Sequence, residues 1–329
     1  MNILVTLNAG YIPPLQVMLT SLLASNPKTQ VDLYVLHSSL TQEDIARIAS
    51  VLDPARCAIP IGDEMLAQAP VTDRYPREMY YRIFAARYLP QDLDRVLYLD
   101  PDLVVGGSLE ELYATEMADY FFAAASHVQK SMQRRNEIRL DMEEPGPYIN
   151  SGVMLMNLAL LRREQDYQEV FQYIEEHQKV LFLPDQDVIS GLYSSRILSL
   201  DPYRYNMTER LFILRPKSDS WLDLDWVREN SVIIHYCGRN KPWKEPYLGK
   251  LDVFYQEAAA RCRETLAHVY NKLVRDNIPE LIRQSGRVPE VTTLSGEGYL
   301  WALTQKLAEE AAEYQRDQTL EELADVLEV

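Results

Sequence analysis

The stretch "RVLYLDPDLVV", Arg95 to Val105, decides the fold. Its first half is apolar without alternation, which reads as a strand covered on both faces, as in a parallel sheet. It then places Asp100 and Asp102 around a proline. Two carboxylates two residues apart on an extended backbone point the same way. Hard divalent cations take such oxygen pairs, and Mg²⁺ or Mn²⁺ bridges them to a diphosphate. Aspartate and proline are equally at home in a turn, so D-x-D by itself leaves both readings open.

Working outward, "NILVTL" and "VDLYVLHS" are further buried strands, and "CAIPIGD" is a weaker third. "LQVMLTSLLASNP" has helical spacing and stops at Asn-Pro. "TQEDIARIASVL" opens with a threonine cap and an acidic first turn, which predicts a helix. "EMYYRIFAARYLP" predicts one amphipathic helix ending before Pro90. Later come "YFFAAAS", then "YINSGVMLMNLALLRR" as a strand running into a helix, a helix start at "PDQDVISGLYSS", and a last strand in "SVIIHYCGRNKPW". This β-α-β-α order predicts an α/β domain with a mostly parallel, Rossmann-like sheet flanked by helices. Ligands of such sheets lie beyond the carboxyl ends of the strands, where Asp100 and Asp102 fall. From about Leu251 the sequence is helical. A small all-α segment is expected over 266–329, after an α/β domain over 1–265.

The 329 residues are 47% apolar and 25% charged, so a sizeable core is available. The net charge of −16 argues against nucleic acid and anionic membrane surfaces as general partners. Three distant cysteines, Cys57, Cys237 and Cys262, give neither a zinc spacing nor a disulfide framework, so a reducing cytoplasm is the simplest compartment. No apolar run approaches the roughly 18 residues needed to span a bilayer, and "MNILVTLNAGYIPPL" reads as a first strand rather than a signal peptide.

His235 follows the last strand in "HYCGRNKPW", and by itself it reads as a structural histidine or as a ligand. With two aspartates it completes a mixed nitrogen and oxygen set, which leans toward Mn²⁺ over Mg²⁺. Lys241 brings a positive charge for a phosphate, and Gly238 lets backbone approach an anion closely.

The segments "ILVTLNAGYIPPLQVMLTSLL", "YYRIFAARYLPQDLDRVLYLDPDLVV", "YINSGVMLMNL", "LPDQDVISGL" and "IIHYCGRNKPW" resemble, in order across residues 1–250, the family 8 retaining glycosyltransferases. The resemblance implies a GT-A fold and transfer of a hexose from UDP-glucose or UDP-galactose to a glycan, lipid-linked or protein acceptor. It implies Mn²⁺ or Mg²⁺ on Asp100, Asp102 and His235, with the uridine held by Thr6, Asn8 and Tyr11. Many members carry an acidic residue where Asn8 stands. Arg82 corresponds to a donor-site arginine, Asn150, Asp185 and Gln186 to residues around the transferred sugar, and Gly238 and Lys241 to the diphosphate loop. Asp185, after Pro184, also suits a helix N-cap. Gln186 stands where a retaining double displacement would need a carboxylate, which favours same-face attack through an oxocarbenium-like pair. The acceptor site is expected in loops such as 126–147.

The tail carries a second pattern. Glu310 and Glu313 share one predicted helix face, and Glu322 with Asp325 repeat the spacing. Four carboxylates on two antiparallel helices can converge on Mg²⁺, although a solvated acidic face is the other reading. "YNKLVRDNIPE" and "KLAEEAAEY" with "EELADVLEV" resemble the small MazG-like nucleoside triphosphate pyrophosphohydrolases, which implies that activity or an association role. Such domains continue with further helices, so Leu323, Val326, Leu327 and Val329 are expected to need cover from another chain, including a second copy of this one.

Overall fold

The structure is a computed structural model that describes residues 1–52, 57–60, 78–142, 144–214, 221–267, 273–274, 277–284, 289, 291–317, 319, 323–324 and 326–327. Nine strands lie in these residues: β1 (Asn2–Thr6), β2 (Asp32–His37), β3 (Cys57–Pro60), β4 (Arg95–Leu99), β5 (Leu103–Val105), β6 (Phe122–Ala125), β7 (Val153–Asn157), β8 (Ile197–Leu200) and β9 (Ile233–His235). Seven form one sheet in the order β3-β2-β1-β4-β7-β6-β8. Only β7 runs against its neighbours, so the expected mostly parallel α/β sheet is present.

The lack of alternation in "RVLYL" has a direct cause. Val96 and Tyr98 enter the core on one face of the sheet with Tyr80, Phe84 and Met154. Leu97 and Leu99 enter the core on the other face with Ile3, Val5, Leu15 and Leu155. Both faces of β4 are covered, so each position is apolar. The helix Gln42–Ala49 starts as predicted, with Thr41 and Asp44 forming a reciprocal capping box.

Three expectations change. "EMYYRIFAARYLP" is not one amphipathic helix but α-helical Glu78–Tyr81, a 3₁₀ turn Arg82–Phe84 and α-helical Ala85–Tyr88. Residues Tyr80 to Ala86 are all buried, so no solvent face exists to define an amphipathic period. The helix Pro184–Tyr193 has Leu183, not Asp185, at its N-cap; Asp185 sits inside the first turn. No side chain caps the helix; Asp187, inside it, reaches back to accept from the N–H groups of Phe182 at 2.6 Å and Leu183 at 3.1 Å. Finally, β9 is not in the main sheet. It pairs antiparallel with β5, Leu103 opposite His235.

The segment 126–147 contains a helix, Lys130–Arg139. Its last residue grips Asp187 through two hydrogen bonds of 2.8 and 2.7 Å, next in sequence to Gln186. The chain divides into two units, Met1–Leu266 and Ala267–Val329. The second contains the helices Ile278–Gln284 and Glu297–Asp317. No described helix is long and apolar enough to cross a membrane.

Candidate active site

The turn after β4 is tied down at both aspartates. The N–H of Asp100 donates to the carbonyl of Gly152 at 2.8 Å, and the carbonyl of Asp102 accepts from the N–H of Tyr236 at 2.9 Å. The first contact reaches the chain leading into β7, and the second the exit of β9. The β5–β9 pairing is therefore what carries His235 to the aspartates. Ligand atoms of Asp100, Asp102 and His235 all lie within 4.8 Å of one another.

Each carboxylate has one committed oxygen and one facing inward. Oδ1 of Asp100 accepts from the Tyr98 hydroxyl at 2.7 Å and lies 3.0 Å from Nη1 of Arg82. Oδ2 of Asp102 takes the Lys241 ammonium, which also donates to the Tyr236 carbonyl at 2.9 Å. The inner oxygens face Nε2 of His235, at 3.7 Å for Asp100 and 3.3 Å for Asp102. The other ring nitrogen, Nδ1, lies 3.0 Å from Oδ1 of Asn206. Nδ2 of Asn206 donates to Asn150, which fixes the amide orientation and makes Nδ1 the protonated nitrogen. Nε2 then turns its lone pair toward two carboxylate oxygens, buried and without a hydrogen-bond partner among the described residues. A proton on Nε2 relieves part of this. A divalent cation satisfies all three groups at once, so the residues fit a metal.

Burial pushes the Asp102 carboxyl up, but the His235 ring in its protonated form and the Lys241 ammonium outweigh it and hold it well below the usual carboxylate range. Burial disfavours the Lys241 ammonium, yet Asp102 more than offsets this and keeps it charged. Arg82 is raised in the same way, against burial, by Asp100.

The expected sugar-side residues also converge. Oε1 of Gln186 accepts from Nδ2 of Asn150 at 3.4 Å. Asp185 is buried, accepts from the Ser151 hydroxyl at 2.7 Å and lies 3.2 Å from the same Nη1 of Arg82. Burial raises its carboxyl above the ordinary value even against Arg82. The guanidinium of Arg82 lies 4.3 Å over the Tyr98 ring and donates to the Ser151 carbonyl. Thr6 joins through its hydroxyl, 3.0 Å from that of Tyr98.

The other expected residues sit along the rim. Tyr11 meets Trp243 edge to face at 6.2 Å and lies 5.9 Å from the Lys241 ammonium. Gly238 has φ +92° with open space around its α-carbon, a conformation that favours glycine. Asn8 uses its side-chain carbonyl to cap the turn Ala9–Tyr11, accepting from Gly10. The loop carrying Gly238 and Lys241 is closed by paired Asn240–Leu248 hydrogen bonds. Its end is held by Glu209, which accepts from Lys250, Leu251 and Tyr247.

Sequence reasoning missed Gly152, Ser151 and Asn206. The first two lie in "NSG" beside Asn150, where the approach of other chain segments was invisible. Asn206 stands in "YRYNM" with no local pattern to mark it. In the C-terminal unit Glu310 is buried and pairs with Lys306. The side chain of Glu313, and Glu322 and Asp325 altogether, lie outside the described residues.

The family model of glycosyl transferase family 8 matches residues 2–246. The chain belongs to that family. A lipopolysaccharide 1,2-glucosyltransferase of Escherichia coli is 30% identical over 235 residues, 69% of this chain and 68% of that protein. A lipopolysaccharide 1,3-galactosyltransferase of Salmonella typhimurium is 24% identical over 250 residues, 74% of this chain and 72% of that protein. The crystal structure of a galactosyltransferase, LgtC, with donor and acceptor sugar analogs superposes with TM-score 0.69 at 25% identity, covering 87% of this chain and all of that one. The fold is therefore GT-A, and family 8 membership makes the chain a retaining, sugar-transferring enzyme.

Proposed function

We propose that the enzyme moves glucose or galactose from its UDP derivative to a glycan, lipid-linked or protein acceptor, with Mn²⁺ preferred over Mg²⁺. The observation that carries this is the buried Nε2 of His235, without a hydrogen-bond partner among the described residues and facing the inner oxygens of Asp100 and Asp102. A softer, nitrogen-accepting divalent ion suits that set better than Mg²⁺. When bound, the cation neutralises the diphosphate and stabilises the charge that develops as UDP leaves.

The chain's own residues do the rest. Lys241 offers a fixed positive charge at the outer oxygen of Asp102, beside the Tyr11 and Trp243 rings, which are placed to hold a base. Arg82 holds Asp100 and Asp185 in one arrangement. Asn150 and Gln186 present amides to the hexose, and Thr6 stiffens Tyr98 behind Asp100. A covalent double displacement finds no free carboxylate at the position the family resemblance points to: Gln186 is an amide, and Asp185 is buried under Arg82 and Ser151. Same-face attack through an oxocarbenium-like pair is the mechanism this favours, and a kinetically competent glycosyl adduct on Asp185 or Gln186 would sink it. The segment 126–147, anchored by Arg139 on Asp187, is our assignment for acceptor contacts. We place the enzyme in the cytoplasm, in keeping with the free thiols Cys237 and Cys262.

Release of UDP from UDP-glucose and UDP-galactose, with and without Mn²⁺, tests this reading in the wild type and in Asp102→Asn. Turnover is expected only with the cation and is expected to collapse in the variant. Metal-independent turnover that survives the substitution ends the proposal.

For residues 266–329 we propose an association role in preference to the pyrophosphohydrolase one. Lys306 already neutralises Glu310, while Tyr299, Leu300, Trp301 and Leu307 on the helix Glu297–Asp317 are exposed. Comparing oligomeric state with and without 266–329 tests it; an unchanged state counts against association.

A further inference from the structure

Asn206 follows the short helix Pro202–Tyr205 and is fully buried. Both ends of its amide are engaged. Oδ1 takes the Nδ1 proton of His235 at 3.0 Å, and Nδ2 donates to Oδ1 of Asn150 at 3.0 Å. Oδ1 of Asn150 also accepts from the N–H of Gly152 at 3.2 Å, and Nδ2 of Asn150 reaches Gln186. One amide thus joins the imidazole of the metal site to the two amides on the sugar side. Its backbone is fixed as well. The carbonyl receives Nε2 of His127 at 2.8 Å, the N–H donates to the Pro202 carbonyl, and the next residue, Met207, pairs with Ile233 and His235.

We propose that Asn206 is a positioning residue that sets the tautomer of His235 for metal binding and couples that ligand to Asn150 and Gln186. The inference rests on the reading of Asp100, Asp102 and His235 as the metal site. A histidine ligates through the nitrogen that keeps its lone pair, and the hydrogen bond on the other nitrogen decides which that is. Without Oδ1 of Asn206, the Nδ1 proton is buried with no acceptor, and the ring gains by moving the proton to Nε2, where it blocks the metal. Without Nδ2, Asn150 is held only by the N–H of Gly152, and its hold on Gln186 loosens.

The two functions separate by substitution. Asn206→Leu fills the space and removes both contacts. Asn206→Asp keeps an acceptor for Nδ1 but sets an oxygen against Oδ1 of Asn150. Binding of Mn²⁺ alone is read from the electron paramagnetic resonance signal of the free ion, and kcat and KM from UDP release. The folded Leu variant is expected to bind Mn²⁺ about 10- to 100-fold more weakly. The Asp variant is expected to bind Mn²⁺ like the wild type while its kcat falls about tenfold. A folded Leu variant with wild-type Mn²⁺ affinity overturns the inference. Should that variant not fold, an Asp variant that loses Mn²⁺ affinity in step with kcat overturns it equally. A wild type that binds no Mn²⁺ removes the metal-site reading, and the inference with it.

Discussion

Gly152 lies against His235 so closely that a β-carbon on it would sit 2.2 Å from the imidazole Cε1 and 2.6 Å from Oδ2 of Asp100. Its carbonyl meanwhile accepts from the N–H of Asp100. The glycine is therefore required by close approach and not by backbone conformation: no other residue lets the β7 lead-in, the β4 end and the β9 end meet here. Gly152→Ala is expected to push the ring or Asp100 out of the ligand set. Mn²⁺ affinity should fall by at least about tenfold, in the range of lost ligand-orienting contacts, with UDP release falling alongside. Calorimetric titration of Mn²⁺ into the folded variant checks this, and wild-type affinity would show that the site relaxes around the methyl group.

Arg82 serves two acids with a single nitrogen, 3.0 Å from Asp100 and 3.2 Å from Asp185, and both it and Asp185 are buried. Arg82→Met leaves Asp185 in the core without its cation, which costs on the order of 3–5 kcal/mol. The Asp185 carboxyl is already raised above 3.8, by burial first and against Arg82, and losing Arg82 raises it further. A carboxyl raised in the folded state binds more protons there than in the unfolded chain, so its contribution to stability is lost as pH rises. The deficit of the variant should thus shrink as pH falls toward the ordinary carboxylate value near 4. Urea denaturation of both proteins at neutral and mildly acidic pH measures the gap, and a gap that widens on acidification would contradict the account.

Legibility in the sequence followed the range of the physics. The strands β1, β2, β4 and β7 were readable because burial on both faces leaves unbroken apolar runs. The metal set was readable because its aspartates share one turn and His235 ends an apolar strand. Its assembly was not readable, because β9 reaches the aspartates through antiparallel pairing with three-residue β5, and so short a strand carries no periodic signal. Asn206 and Gly152 act through chain segments distant in sequence, and a lone amide or a missing β-carbon has no pattern to detect. The interrupted helix at Arg82 was hidden for the opposite reason: every residue from Tyr80 to Ala86 is buried, so helical spacing and its interruption look alike.

His127 supports the site from behind and supplies an acid limit. Its Nε2 bonds to the Asn206 carbonyl, and burial first, then the nearby His235 when protonated and Arg210, push its pKa from 6.5 down to about 4. A histidine held neutral when folded binds fewer protons there than in the unfolded chain, so stability is full above 6.5 and is lost as pH falls toward 4. The loss is at most about 3 kcal/mol, since each pKa unit is worth about 1.4 kcal/mol. His127→Gln keeps a donor for the Asn206 carbonyl without a titrating group. Thermal melts between pH 7 and pH 4 should show the wild type losing stability more steeply than this variant over that interval. Parallel curves would place the acid sensitivity elsewhere in the protein.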